Sequence, residues 1–201
     1  MLQTKETYGS LVYSVLVMIG KPLTKNLIEQ GHEVTVISSS PEGQSAIEAL
    51  GARAAIGELE DAHFVTTTFA GADVVYCLVP PAAYFAQDRD VTGYYEKIGN
   101  HYAQAIQQAG IQRVVHLSSI GAHRASGTGL LIGHHAVEEM FQSLPNDISI
   151  KHLRAAAFYN NLYNFIPVIK KTGFIAANYG GTDTTPWVSP RDMPRLRHTL
   201  W

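Results

Sequence analysis

The chain has 201 residues, 46% of them apolar, and a formal net charge of −2. That length holds one domain, two at most, with enough apolar residue for a full core. The charge balance, with no basic tail, gives no support to nucleic acid or an acidic membrane as an obligatory partner. The single cysteine excludes an internal disulfide and any paired-cysteine redox or metal motif.

The first element runs through "LVYSVLVMIGKPL", Leu11 to Leu23, an apolar strand leading into a helix. Its apolar run, Val15 to Ile19, falls far short of the ~20 residues of a membrane span. No small-residue cleavage pattern follows, so the expectation is a cytoplasmic protein with no leader and no membrane partner. Val34 to Ile37 is a short β-branched strand. "PEGQSAIEALGA" then places Ala46, Ile47 and Leu50 on one helical face. "RAAIGE" reads as a weak strand, and "DAHFVTTTFAGA" as a helix with Asp61 at its N-cap and Gly71 as its stop. "DVVYCLV" is a fully apolar strand, which makes Cys77 a buried structural thiol.

Between Tyr84 and Lys97 a long aromatic and charged stretch carries no motif and reads as a flap over a site. Ile98, Tyr102, Ala105, Ile106 and Ala109 trace a helical stripe closed by Gly110. "RVVHLSSI" is a strand, and Val137, Met140, Phe141 and Leu144 form a helical face ended at Pro145. Glu138 and Glu139 read as a helix start, where carboxylates complement the dipole. "ISIKHLRA" is the last clear strand; beyond Asn178 the pattern loosens. Nine histidines are scattered without Cys, Asp or Glu at ligand spacing, so no metal site is expected.

Strands alternating with helices predict an α/β fold with a doubly wound parallel sheet, the Rossmann arrangement, and a ligand at the carboxyl ends of its strands. The expected division is one domain over residues 1–192 and an irregular tail over 193–201.

Six segments in order, "IGKPLTKNLIEQGHEVTVISSSPE", "GELED", "GADVVYCLVPP", "GIQRVVHLSSIGA", "AVEEMF" and "HLRAAAFYNNL", resemble the NmrA-like, atypical branch of the short-chain dehydrogenase/reductase superfamily. Its bacterial members include NAD(P)H:quinone oxidoreductase-like proteins. The resemblance implies a Rossmann fold with NAD(P)H as cofactor, a substrate side left incomplete past Asp192, and either reductase activity or nucleotide sensing without turnover. It also implies a glycine-rich first turn. Aligned with Leu11 and Val12 ending the strand, that turn falls on Ser14, Val17 and Gly20. Val17 is the serious departure, because a branched side chain occupies the space that the pyrophosphate needs and disfavours positive φ.

At the end of the second strand the family would place an acid for NAD or an arginine for NADP; here stand Ser38, Ser39 and Ser40, which lean towards NADP or form a plain turn before Pro41. Val79, Pro80 and Pro81 follow the fourth strand along the cofactor's path. Ser118 and Ser119 occupy the place of the superfamily's catalytic serine, or make an ordinary turn. The Tyr-x-x-x-Lys pair is missing: His134 stands at the lysine position and Leu130 at the tyrosine position. Phe158, Tyr159 and Asn161 map to the segment beside the nicotinamide, with a core role open for Phe158 and a catalytic one for Tyr159.

The reading that follows is hydride transfer to a quinone or similar carbonyl, impaired at the phosphate loop. The alternatives are a non-catalytic NAD(P)-sensing regulator of the NmrA type and an inactive fragment. A frame shift at both ends of the coding sequence accounts for the altered loop and for "MPRLRHTLW". A second chain covering a sheet edge, as in a homodimer, stays open.

Overall fold

The computed structural model describes residues 10–14, 19–80, 90–175, 182 and 184–193, with 11–14 described in backbone only. Seven elements of the first half alternate: β1 (Ser10–Ser14), α1 (Gly20–Ile28), β2 (Glu33–Ser38), α2 (Gln44–Glu48), β3 (Arg53–Ile56), α3 (Ala62–Phe69) and β4 (Val74–Leu78). The second half adds α4 (Val91–Gln108), β5 (Arg113–Ser119), α5 (Ile132–Gln142), β6 (Ser149–Ala155), β7 (Ala157–Phe158), α6 (Ile166–Thr172) and β8 (Trp187–Val188). Strands β1 to β6 form one parallel sheet in the order β3-β2-β1-β4-β5-β6, and β7 pairs with β8 alongside. This is the doubly wound order, with its switch point at β1, where the chain departs to β2 on one side and β4 on the other.

The strands are apolar on both faces because helices cover both. Val75, Cys77 and Val114 point into a core closed by Val65 and Phe69 of α3, Tyr95, Ile98, Tyr102 and Ile106 of α4, and Val137 and Phe141 of α5. Val34, Val36, Tyr76, Val115 and Leu117 point the other way, against Leu23 and Leu27 of α1, Ile47 of α2, and Met193. Met193, the first residue of the expected tail, is therefore buried. Helices α4 and α5 approach closely at two glycines. A Cβ on Gly99 would lie 2.9 Å from the Met140 sulfur, and one on Gly133 would lie 2.6 Å from the Tyr95 ring.

Local signals account for the boundaries. The Asp61 carboxylate accepts from the backbone N–H of His63 and Phe64 at 2.9 and 3.1 Å, capping α3 as expected. The Asp90 carboxylate does the same for Gly93 at 2.8 Å, so α4 begins at Val91. The second half of the expected flap is thus helix, because a cap and an i/i+4 stripe of Val91, Tyr95 and Ile98 extend the face read from Ile98 onward; its first half lies outside the described residues. Strand β1 runs two residues past Val12, since Tyr13 and Ser14 pair with Val36 and Ile37. Helix α5 starts at Ile132, which puts Glu138 in mid-helix rather than at its start. No described helix is long and apolar enough to cross a membrane.

Candidate functional site

The carboxyl ends of β1, β2, β4 and β5 open on one edge of the sheet. At the β1 end, Ser14 is the last strand residue, paired with Ile37, and Val17 lies outside the described residues. Helix α1 begins at the buried Gly20; Ile19 supplies no side-chain cap and no acid stands in the first turn. A helix N-terminus of this kind favours an anion through its backbone N–H groups and dipole.

At the β2 end the three serines separate. Ser38 and Ser40 close a local turn: the Ser40 N–H donates to the Ser38 hydroxyl at 3.2 Å, and the Ser40 hydroxyl donates to the Glu42 carboxylate at 2.5 Å. Ser39 is exposed. The Ser40 hydroxyl also holds the Glu42 carboxyl below the usual carboxylate range. An acid therefore stands beside this loop after all, contributed by the following turn rather than the strand end. A ribose bound at this loop would meet a carboxylate that opposes a 2′-phosphate and suits a 2′-hydroxyl.

At the β4 end Val79 is buried in the core, Pro80 is half-buried, and Pro81 lies outside the described residues. Next to it the ends of β5 and β6 meet α5 in a buried polar cluster. Ser118 and Ser119 alternate across the sheet. Ser118 faces α5, is buried, and donates its hydroxyl to Glu138 at 2.5 Å. Arg154 of β6 forks onto the same carboxylate, Nε to Oε1 at 3.0 Å and Nη2 to Oε2 at 2.6 Å. Burial pushes Glu138 up, but the Arg154 and Ser118 hydrogen bonds outweigh it and hold the carboxyl down at about 2. Glu138 is thus ionised, and the Ser118 proton is committed to it. Ser118 can accept a hydrogen bond from a ligand but has no proton free to give. Ser119 is half-buried on the opposite face, its carbonyl turned to the Ala122 N–H at 3.1 Å.

His134 stands one helical turn before Glu138 on α5, so both share a face. Its Nε2 lies 3.5 Å from the Tyr95 hydroxyl, at the limit of a hydrogen bond, with the rings edge-on at 4.9 Å. Its Nδ1 is buried with no hydrogen-bond partner among the described residues. Burial pulls its pKa down to about 4, so the imidazole is neutral at pH 7. Deeper, His116 and His152 meet through their Nδ1 atoms at 3.0 Å, an arrangement that needs one ring to donate and the other to accept. Burial pushes His116 down to about 3.

Beyond β6, Phe158 pairs with Val188 in the small sheet and packs partly buried against the second core. Tyr159 is not in this cluster. It is 54% exposed and stacks on Trp187, with centroids at 6.1 Å. Asn161 is exposed, as is Leu130. Among the predicted residues, Ser118 and His134 are brought together around Glu138. Tyr159 and the serine loop of β2 stand apart from them. Among the described residues no three His, Cys, Asp or Glu side chains gather to hold a metal.

A family model described as NAD(P)H-binding matches residues 18–158. The chain belongs to this NAD(P)H-binding family. The matched span begins at Met18, immediately after Val17. Solved structures of the same fold include a Citrobacter sp. triphenylmethane reductase, at TM-score 0.77 and 17% identity over 95% of this chain. The same reductase complexed with NADP(H) gives 0.76 and 17% over 96%. An Escherichia coli NADPH-dependent quinone oxidoreductase, complexed with NADPH, gives 0.72 and 17% over 92%. The chain spans 64%, 65% and 62% of these three structures' own lengths. Among curated protein sequences, nothing matches.

The described residues fit a dinucleotide of this family at the switch point beside β1 and at the start of α1, where backbone N–H groups favour an anion. At the β2 end the Ser38 and Ser40 hydroxyls are engaged in the local turn, so the groups that would meet a ribose there are Ser39 and the Glu42 carboxylate. Sequence reasoning missed Glu138, Arg154, Tyr95 and Glu42. One signal pointed to Glu138, which shares an i/i+4 face with His134; Arg154 stood in a strand that also carries Lys151 and His152, and nothing local set it apart. Tyr95 could be found only by extending α4 to its Asp90 cap.

Proposed function

We propose that this NAD(P)H-binding chain is a reductase of quinones or related conjugated carbonyls, with cofactor binding weakened at Val17. The observation that supports this acceptor class is the state of the groups around Glu138. The Ser118 proton is bound to a carboxylate held ionised at about 2, and His134 is neutral with a pKa near 4. Neither is a proton donor at pH 7. A simple ketone needs a proton delivered as hydride arrives, whereas a quinone spreads the incoming charge over its ring and takes its proton from water. The nicotinamide, when bound, supplies the hydride. The chain's own part is to position the ring beside Ser118 and Ser119, which leaves Ser118 accepting from an N–H or O–H donor. Phe158 offers an apolar wall.

The same lack of a proton donor favours a second reading, a non-catalytic NAD(P)-sensing regulator. We expect the protein to work in the cytoplasm, as a single domain that extends past the expected boundary at 192 to include the buried Met193. Titration with NADH and NADPH, followed by turnover assays on 1,4-naphthoquinone, separates these readings. Binding with turnover supports the reductase, binding without turnover supports the regulator, and no binding at millimolar cofactor overturns both. Glu42 gives a check on the cofactor's ribose: Glu42→Gln should improve NADPH relative to NADH by about threefold, the scale of one exposed charge. An unchanged ratio would place the ribose elsewhere.

A further inference from the structure

On the outer side of α1, away from Leu23 and Leu27, a cleft of about 880 Å³ lies between the first two turns of α1 and the residues that follow β6 and β8. That volume is within the range of small-molecule sites, about 300–1,000 Å³. Three cations line it: Lys21 and Lys25, one turn apart on α1, and Arg191 from the turn after β8. Among the described residues no acidic side chain lines it. Lys25 has only an exposed, long contact to Glu29 at 3.8 Å; Lys21 and Arg191 have no ion-pair partner among the described residues. In a chain of net charge −2, this is a local excess of positive charge, offset among the described residues only by the exposed Glu29 contact to Lys25.

The walls are built rather than loose. Pro190 and Met193 are buried, and the turn between them is closed by the Arg191 and Asp192 N–H groups on Ser189, at 3.2 and 3.0 Å. That anchors the backbone carrying Arg191. Tyr163, 68% exposed, adds an aromatic surface, and Pro22 and Leu50 add apolar ones. Three converging cations, two of them without an ion-pair partner among the described residues, call for an anion. The ring of Tyr163 beside apolar walls calls for a flat apolar body attached to it.

We propose that this cleft binds an aromatic anion, its carboxylate, sulfonate or phosphate held by Lys21, Lys25 and Arg191 and its ring lying against Tyr163. The site is separate from the polar cluster at Glu138, and binding there needs neither cofactor nor turnover. The probe is anthraquinone-2-sulfonate, titrated calorimetrically into the full chain without nucleotide, with neutral menadione as comparator. The sulfonate should bind more tightly than menadione, and its affinity should fall as salt rises from 0.05 to about 0.5 M. The Lys21→Glu, Arg191→Glu double variant should bind it at least about tenfold more weakly, two reversed charges acting at the cleft. Tyr163→Ala should weaken the sulfonate while inorganic sulfate still competes. Circular dichroism and Tm show that the variants fold. Four results would overturn the proposal: no sulfonate binding at millimolar probe, salt-independent binding, equal affinity for menadione, or unchanged affinity in the folded double variant.

Discussion

On one face of the sheet, α3, α4 and α5 bury Phe69, Tyr95, Tyr102 and Phe141 almost completely; on the other, the segment after β6 leaves Tyr163 68%, Phe174 60% and Ile175 49% exposed. The closed face also holds the groups whose protonation is fixed by burial, His116, His134 and Glu138. The basic cleft lies beside the exposed segment after β6. Both faces of the sheet are packed, so the contrast is between the closed α3–α4–α5 layer and the segment after β6, which leaves its apolar side chains at the surface. Substitutions of equal size should have unequal effects in these two regions.

The largest difference is in truncation. Phe141→Ala removes a fully buried ring and should cost about 3–5 kcal/mol. Ile169→Ala on exposed α6 should stay within about 0.5 kcal/mol. Urea unfolding of both variants checks this. Similar losses at the two sites would mean that α6 is packed in solution.

Arg154→Ala comes next. It leaves the Glu138 carboxylate buried with only Ser118 to solvate it, and should cost about 3 kcal/mol. Glu138→Ala should cost less, because the Arg154 side chain it strands is 42% exposed and can reach water. The reverse order in denaturant unfolding would mean that Arg154, not Glu138, is the group the fold must satisfy.

Legibility in the sequence followed the same division. The strand–helix alternation, the Asp61 cap and the stripe from Ile98 to Ala109 are local patterns, and each appears where expected. The polar cluster is not local. Ser118 and His134 were visible as single residues, but Glu138 and Arg154 meet Ser118 only after α5 crosses over and β6 pairs with β5. Glu138 read as a dipole complement because nothing in "AVEEMF" shows which of two glutamates turns inward. Tyr159 looked like a site residue for its type alone, and its ring went to Trp187, 28 positions further on.

Acid gives a smaller, graded contrast. The folded pKa values of His134 and His116, about 4 and about 3, lie below the ordinary 6.5. Between those limits the unfolded chain binds more protons, so stability is full above pH 6.5 and falls as pH drops toward 4. The slope should approach about 1.4 kcal/mol per pH unit for each such histidine. His134→Gln should flatten it. Glu138 adds its own loss only as pH falls from 4.5 toward about 2. A stability profile flat from pH 7 to 5 would show that these histidines are open to water.

The account's central claim is that the fold still holds a nicotinamide dinucleotide while Val17 weakens its grip. Titrating wild type and Val17→Gly with NADPH and NADH, reading nicotinamide fluorescence, tests that most directly. We expect saturable binding by both proteins, tighter in Val17→Gly. No binding by either at millimolar cofactor, or equal affinity in the two, would contradict it.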